Sequence, residues 1–422
     1  MLALMRAFFC KNTIDSLLHA VHRKADFMEI ADIIKRKIFS FDYLMLILVV
    51  ALSIFGIMVV GSATQVHLGA DPAEFDKQKL WVATGLFLMF VAAFIDYRFI
   101  AKFYIILYVL NIGLLLAVRF FGDEMQSGVT RAVTIAGFSI QPSEFAKIFM
   151  LIFLVKLVDK LQNKLNNIFV LIGIGFSIII PVFLVMQMPS LSASLVILCV
   201  SLVTLFIGGL SFKYIFSAIA VILPSAYLFT RDILSEERPF TTKLIELGIL
   251  KSYQVETRIL PYFNPDLASA ADRYQVEQSV RAIGSGQLSG KGLFQGTMTS
   301  LSYVPSNHND FIFSVIGEEF GYIGCICVLA VLFVIIVKCL YIAFRAKTLM
   351  GKLIASGVAF MLSFQTFVNV GVSIGMLPNT GMVLPFISYG GSSMWVNMIA
   401  IGLVINVSMV QPKQSAFTLF EE

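Results

Sequence analysis

Apolar runs long enough to cross a bilayer alternate along this chain with short polar turns, and one long polar interval, Thr230 to Asp310, separates two strongly apolar halves. A hydrocarbon core about 30 Å thick needs about 20 helical residues, and a backbone in lipid must satisfy its own hydrogen bonds. The pattern predicts ten membrane helices: Tyr43 to Ser62, Leu80 to Ile95, Phe103 to Val118, Phe145 to Val158, Ile168 to Val185, Leu191 to Gly208, Phe212 to Phe229, Phe311 to Ala343, Leu353 to Met376 and Pro385 to Val410. The fourth run is short. The eighth is overlong, as a tilted helix continuing past the bilayer would be.

Composition agrees, with 58% hydrophobic residues, 14% charged and 39 phenylalanines in 422 residues, and a mean hydropathy of +0.87. These values describe an all-α, polytopic integral membrane protein. Positive charge in short loops is retained in the cytoplasm during insertion. Arg98, Lys102, Lys156, Lys160, Lys164, Lys213, Arg345, Lys347 and Lys352 all fall in alternate loops. Both termini are therefore expected in the cytoplasm, and the loop between helices 7 and 8 is expected to be extracytoplasmic. The expected parts are a cytoplasmic segment over 1–40, a ten-helix membrane domain over 41–411 that includes the 230–310 loop, and a cytoplasmic tail over 412–422.

The formal charge of +5 is topological, and no basic run interleaved with aromatics suggests nucleic acid. Of five cysteines, Cys10 precedes the first span and Cys199, Cys325, Cys327 and Cys339 lie in apolar runs, so the outer loop has no disulfide framework. Met1 to Cys10 is interrupted by Arg6 and lacks a small-residue cleavage site, which argues against a signal peptide. Asp26 to Phe39 carries Phe27, Ile30, Ile33, Ile34 and Ile38 at helical spacing and reads as an amphipathic helix on the inner surface.

Phosphate-binding Gly-Lys-Ser/Thr loops and His-Glu-x-x-His are absent, which leaves an ATPase or a zincin without support. The remaining polar groups gather on the outer side. Arg131 is followed by Gln141-Pro142-Ser143-Glu144 and Lys147, where Ser143 is a candidate helix cap and Glu144 can pair with Lys147 three residues on. A structural ion pair is the simpler reading of that spacing, and a substrate contact the more specific one. Four glycines, Gly284, Gly286, Gly290 and Gly292, lie beside Lys291 and permit close backbone approach to phosphate or sugar, although turn chemistry also explains them. Asp310 ends the polar interval at a membrane lip, where it is either an N-cap or, because a carboxylate near hydrocarbon loses solvation, a general base. Glu318 and Glu319 follow inside an apolar helix, where unpaired acids are costly.

Several of these segments together resemble the SEDS family, the RodA and FtsW proteins. They are Gly128-x-x-Arg131, Gln141-Pro142-Ser143-Glu144-Phe145-Ala146-Lys147, Tyr274-Gln275-x-x-Gln278-Ser279 through Ala282-Ile283-Gly284-Ser285-Gly286, Gly290-Lys291-Gly292, His308-x-Asp310-Phe311-Ile312-Phe313, Gly317-Glu318-Glu319, and Leu384-Pro385-Phe386-Ile387-Ser388-Tyr389-Gly390-Gly391-Ser392-Ser393. The resemblance runs from about Phe41 to Val410 in family order. It implies a peptidoglycan glycosyltransferase that polymerises lipid II at the outer face of the bacterial cytoplasmic (inner) membrane beside a class B penicillin-binding transpeptidase. Asp310 would then be the catalytic base. Arg131, Glu144, Lys147, Gln278, Ser279, Gly284, Gly286, Lys291, His308, Ser388, Gly390 and Gly391 would bind substrate, and a divalent cation (Mg or Mn), with no organic cofactor, would help carry departing pyrophosphate. The family pattern is broken at Ser190, Ala132 and Ser306. Segments around Tyr253-Gln254 and Gly296-Thr297 lean toward RodA and elongation, those around Gly381 to Phe386 and Asn397 to Gly402 toward FtsW and division, and elongation is slightly favoured. A lipid-precursor flippase and a weakly active scaffold for the transpeptidase are the alternative readings.

Overall fold

The computed structural model describes residues 41–65, 69, 72–121, 133–135, 138–188, 190–235, 238–247, 252, 255–264 and 270–409. The surface helix expected over Asp26 to Phe39 and the tail from 412 lie outside them. Helices α1 (Tyr43–Ala63), α2 (Ala73–Phe94), α3 (Tyr97–Lys102) and α4 (Tyr104–Phe121) precede a β-hairpin. Then come α5 (Pro142–Leu161), α6 (Ile168–Gln187), α7 (Leu191–Ile207) and α8 (Phe212–Leu234), the outer-loop helices α9 (Pro239–Glu246), α10 (Leu260–Phe263), α11 (Ala270–Ser285) and α12 (Thr297–Ser300), and finally α13 (Ile312–Arg345), α14 (Leu349–Ser373) and α15 (Gly391–Met409). Each of the ten apolar runs coincides with a long helix. Seven of these are long and apolar enough to span a membrane by length and composition, and α4 and α7 supply shorter apolar stretches.

The tenth, α5, corrects the expectation of a short fourth helix. It has 20 residues; its apolar run looks short because Glu144 and Lys147 lie in the first turns, paired at 2.7 Å inside the protein. The helix starts at Pro142, whose fixed φ suits a first helical position. Gln141 is the N-cap, Ser143 is not, and the buried Ser143 hydroxyl has no partner among the described residues.

With α14 and α15, α5 forms the interior: 72% of the most apolar window of α14 and 83% of that of α15 are buried, against none of that of α8. α2 and α15 pack against each other along their length, with Trp81 edge-on to Trp395 at 5.2 Å and Trp395 donating to Thr84 Oγ1 at 2.8 Å. Such close contact between membrane helices rests on packing and interhelical hydrogen bonds, because lipid offers little hydrophobic gain.

The overlong eighth run is not one tilted span. α13 breaks at Gly321 (φ 65, ψ −164) into a short buried piece and a long membrane piece. That φ/ψ combination is open to glycine almost alone. The amides and carbonyls freed by the break pair with the glycine-rich loop: Lys291 N and Gly292 N donate to the Glu318 and Glu319 carbonyls (3.1 and 2.9 Å), and Tyr322 N and Ile323 N donate to the Gln287 and Leu288 carbonyls (2.9 and 3.1 Å). A further departure from an all-helical reading is the antiparallel pairing of Val133–Ile135 (β1) with Phe138–Ile140 (β2), short β-branched and aromatic triplets suited to a ladder.

Candidate active site

The starts of α5, α7, α13 and α15 face the side on which the 230–310 loop lies, because each follows an odd number of membrane crossings. Between them opens a cavity of about 540 Å³. Its charged lining is Glu144 and Lys147 from α5, Asp310 before α13, and Arg258 from the outer-loop π turn Val255–Ile259. Neutral polar groups are added by Gln141, Ser190 and Ser192, Gln275, Ser306 and Asn309, Asn379 and Thr380, and Ser392 and Ser393, among others. The Thr380 hydroxyl and Asn309 Oδ1 are buried without partners among the described residues.

Asp310 does not cap α13; the N-cap position is Phe311, and no side chain caps that end. Its carboxylate instead lines the cavity beside Gly381, where a Cβ would lie 2.8 Å from Arg258 Nη1 and 3.2 Å from Asp310 Oδ2. Gly381 has φ 71, and the lack of a side chain there lets acid and guanidinium face the same space. Glu144 and Lys147 form a second pair of opposite charges, both buried. Burial pushes the Tyr389 phenol up, and Glu74 adds to the effect, so this wall residue presents a neutral hydroxyl.

Asp310, Glu144, Lys147, Gly390 and Gly391 thus share one cavity. Other expected substrate ligands sit elsewhere. Lys291 binds Glu318 at 2.6 Å, and that carboxylate also accepts from Met298 N, Thr299 N and Thr299 Oγ1 at 2.7 to 3.0 Å, which ties down α12. Gly286 lies against the backbone of Gly317 and Glu318 with no room for a side chain. Glycines and lysine in this loop therefore serve the α13 break. Gly284 has open space where a side chain would be, on the same outer helix α11. Gln278 and Ser279 lie on the buried face of α11, where Ser279 donates to the Ser373 carbonyl at 2.8 Å. His308 Nε2 points to Glu74 at 3.7 Å, and the buried Ser388 hydroxyl bridges two backbone strips. Arg131, like Gly128 and Ala132, lies outside the described residues.

Arg258 does not stand out in the sequence, where it is one of several cations in a polar loop; its burial and its place opposite Asp310 distinguish it. Among the described residues, no three His, Cys, Asp or Glu side chains come together.

Residues 42–413 match the family FTSW_RODA_SPOVE, cell cycle proteins. The chain is 33% identical over 369 residues to the peptidoglycan glycosyltransferase MrdB of Escherichia coli K12, covering 87% of this chain and 93% of the relative. It is 31% identical over 379 residues to the probable peptidoglycan glycosyltransferase FtsW of Trichlorobacter lovleyi, again covering 87% and 93%. Among solved structures, a chain from work on the structural coordination of polymerization and crosslinking by a peptidoglycan synthase complex overlays with a TM-score of 0.70 at 25% identity, over 87% of this chain and 97% of that one. The rod shape determining protein RodA of Thermus thermophilus overlays with a TM-score of 0.62 over 89% and 98%; at 24% identity this is a likeness of fold.

Proposed function

The chain belongs to the FtsW, RodA and SpoVE family of cell cycle proteins, and from that premise we propose that its outer cavity is the centre of a peptidoglycan glycosyltransferase, with Asp310 as the general base. The donor and acceptor are lipid II molecules whose sugars enter from water while their polyprenyl tails stay in the bilayer. Asp310 takes the proton of the acceptor sugar 4-hydroxyl; the oxygen attacks the donor's anomeric carbon, the bond to pyrophosphate breaks, and the lipid pyrophosphate departs. Negative charge grows on that leaving group, and the cations that line the same space, Arg258 and Lys147, stabilise it where fixed charges cost no reorganisation. Glu144 holds Lys147 in place.

One observation carries this reading: Asp310, Arg258, Glu144 and Lys147 line a single polar cavity at the membrane face of the long loop. Among the described residues no three His, Cys, Asp or Glu side chains gather to hold a resident metal; a divalent cation would arrive with the pyrophosphate, and no step here depends on one. Lys and Arg in alternate loops support a cytoplasmic-membrane location with both termini inside. The synthase-complex relative supports work beside a cross-linking partner, a class B penicillin-binding transpeptidase. Elongation is favoured over division on the RodA-leaning segments named above.

Purified full-length protein given labelled lipid II tests the proposal. Glycan chains are expected from wild type and not from Asp310→Ala, with the variant still folded by thermal melting. Equal chain formation by both would remove Asp310 from the mechanism, and lipid translocation without chains would favour a flippase.

A further inference from the structure

Three consecutive carbonyls lead into the membrane at the site, and each accepts a hydrogen bond from a different neighbour. Tyr389 N donates to the His308 carbonyl at 2.9 Å, Ser388 Oγ to the Asn309 carbonyl at 2.8 Å, and Asn369 Nδ2 to the Asp310 carbonyl at 2.8 Å. The same Asn369 amide donates to the Met382 carbonyl at 2.6 Å, and the Ser388 hydroxyl accepts from Leu384 N at 2.8 Å. Both side chains are buried. Each therefore joins two backbone strips: the strip that carries Asp310, and the 382–389 strip beside Gly381, where Arg258 faces the acid. Two carbonyl acceptors fix which end of the Asn369 amide carries the hydrogens, so its orientation is set by the backbone around it.

We infer that Asn369 and Ser388 are positioning residues for the glycosyl transfer, a carbonyl clamp that sets where the Asp310 carboxylate stands in the cavity. This rests on the assignment of Asp310 as base. Neither side chain lies on the cavity wall, so the clamp acts through the backbone and not on substrate. The segment it restrains has no regular structure of its own between α12 and α13, and no side chain caps α13. Without these bonds, rotation about the backbone at Asn309 and Asp310 would carry the carboxylate away from the acceptor hydroxyl. General-base catalysis falls steeply with such displacement: about 1 Å can cost about 100-fold in rate.

The test is steady-state glycan polymerisation by the full-length protein over a range of lipid II concentrations, with thermal melting of each variant alongside. Ser388→Ala is expected to lower kcat about tenfold with KM within about twofold, the scale of the one bond it loses to the strip that carries Asp310, and Ser388→Thr, which keeps the hydroxyl, to recover most of it. Asn369→Leu, which at similar volume removes the bond to the carbonyl of Asp310 itself, is expected to lower kcat further. If Asn369→Leu does not fold, the Ser388 pair alone decides. A raised KM with kcat intact, or equal loss in Ser388→Ala and Ser388→Thr, would overturn the clamp, as would wild-type kcat in Ser388→Ala. Asp310→Ala, run beside them, separates the two readings. If it is inactive while the clamp variants match wild type, only the clamp fails; if it retains wild-type kcat, the base assignment fails and the clamp with it.

Discussion

At the residue scale, the cavity joins charges that pay for their own burial only as pairs. Lys147 and Glu144 are buried at 2.7 Å, and removing one partner of such a pair costs about 3 kcal/mol or more because the other is left uncompensated. Lys147→Met should therefore lower both the melting temperature and chain formation. Adding Glu144→Gln to it should restore much of the melting temperature but not the activity, which a thermal scan and a lipid II assay on the two variants would separate. Recovery of both would make the pair purely structural. Asp310, Glu144 and Lys147 were legible in the sequence because acids and bases at the ends of apolar runs stand out. Arg258 and Asn369 were not: one is hidden among loop cations, the other is an amide inside an apolar helix, and only their partners show what they do.

Among the elements, α13 and the glycine-rich loop explain each other. The sequence pattern for a loop that cradles phosphate is the same as for a loop that packs on a broken helix, since both need backbone approach without Cβ atoms. Tertiary context chose the second: Gly286 meets Gly317, and Lys291 meets Glu318. Gly321→Ala places a side chain at φ 65, a strain of about 1–3 kcal/mol, and against the Leu288 carbonyl. The expected outcome is a lower melting temperature and faster trypsin cleavage at Lys291 in limited proteolysis; unchanged cleavage would mean that the loop does not depend on the break. The hairpin at Val133–Ile135 escaped the sequence reading because three-residue strands give too short a period to register.

For the whole molecule, ten spans and their alternation could be read from hydropathy because lipid imposes length and apolarity on each helix separately. Which helices form the interior could not, since α8 and α14 have the same mean hydropathy in their best windows, 1.6, yet none of one and 72% of the other is buried. The topology places Leu301 and Phe344, both exposed, on opposite sides of the membrane. In right-side-out vesicles, a membrane-impermeant maleimide should label Leu301→Cys and spare Phe344→Cys; the reverse pattern would put the cavity in the cytoplasm and remove its access to exported substrate.

The account turns on a proton leaving the acceptor sugar for Asp310, and Asp310→Asn probes that step most directly because it keeps the shape and hydrogen-bonding reach of the side chain while removing its basicity. The measurement is the rate of the first glycosidic bond between labelled lipid II molecules, with lipid II binding followed in the same samples. Binding close to wild type with bond formation lowered by about 100-fold or more is the predicted result. A wild-type rate from the amide would contradict the assignment.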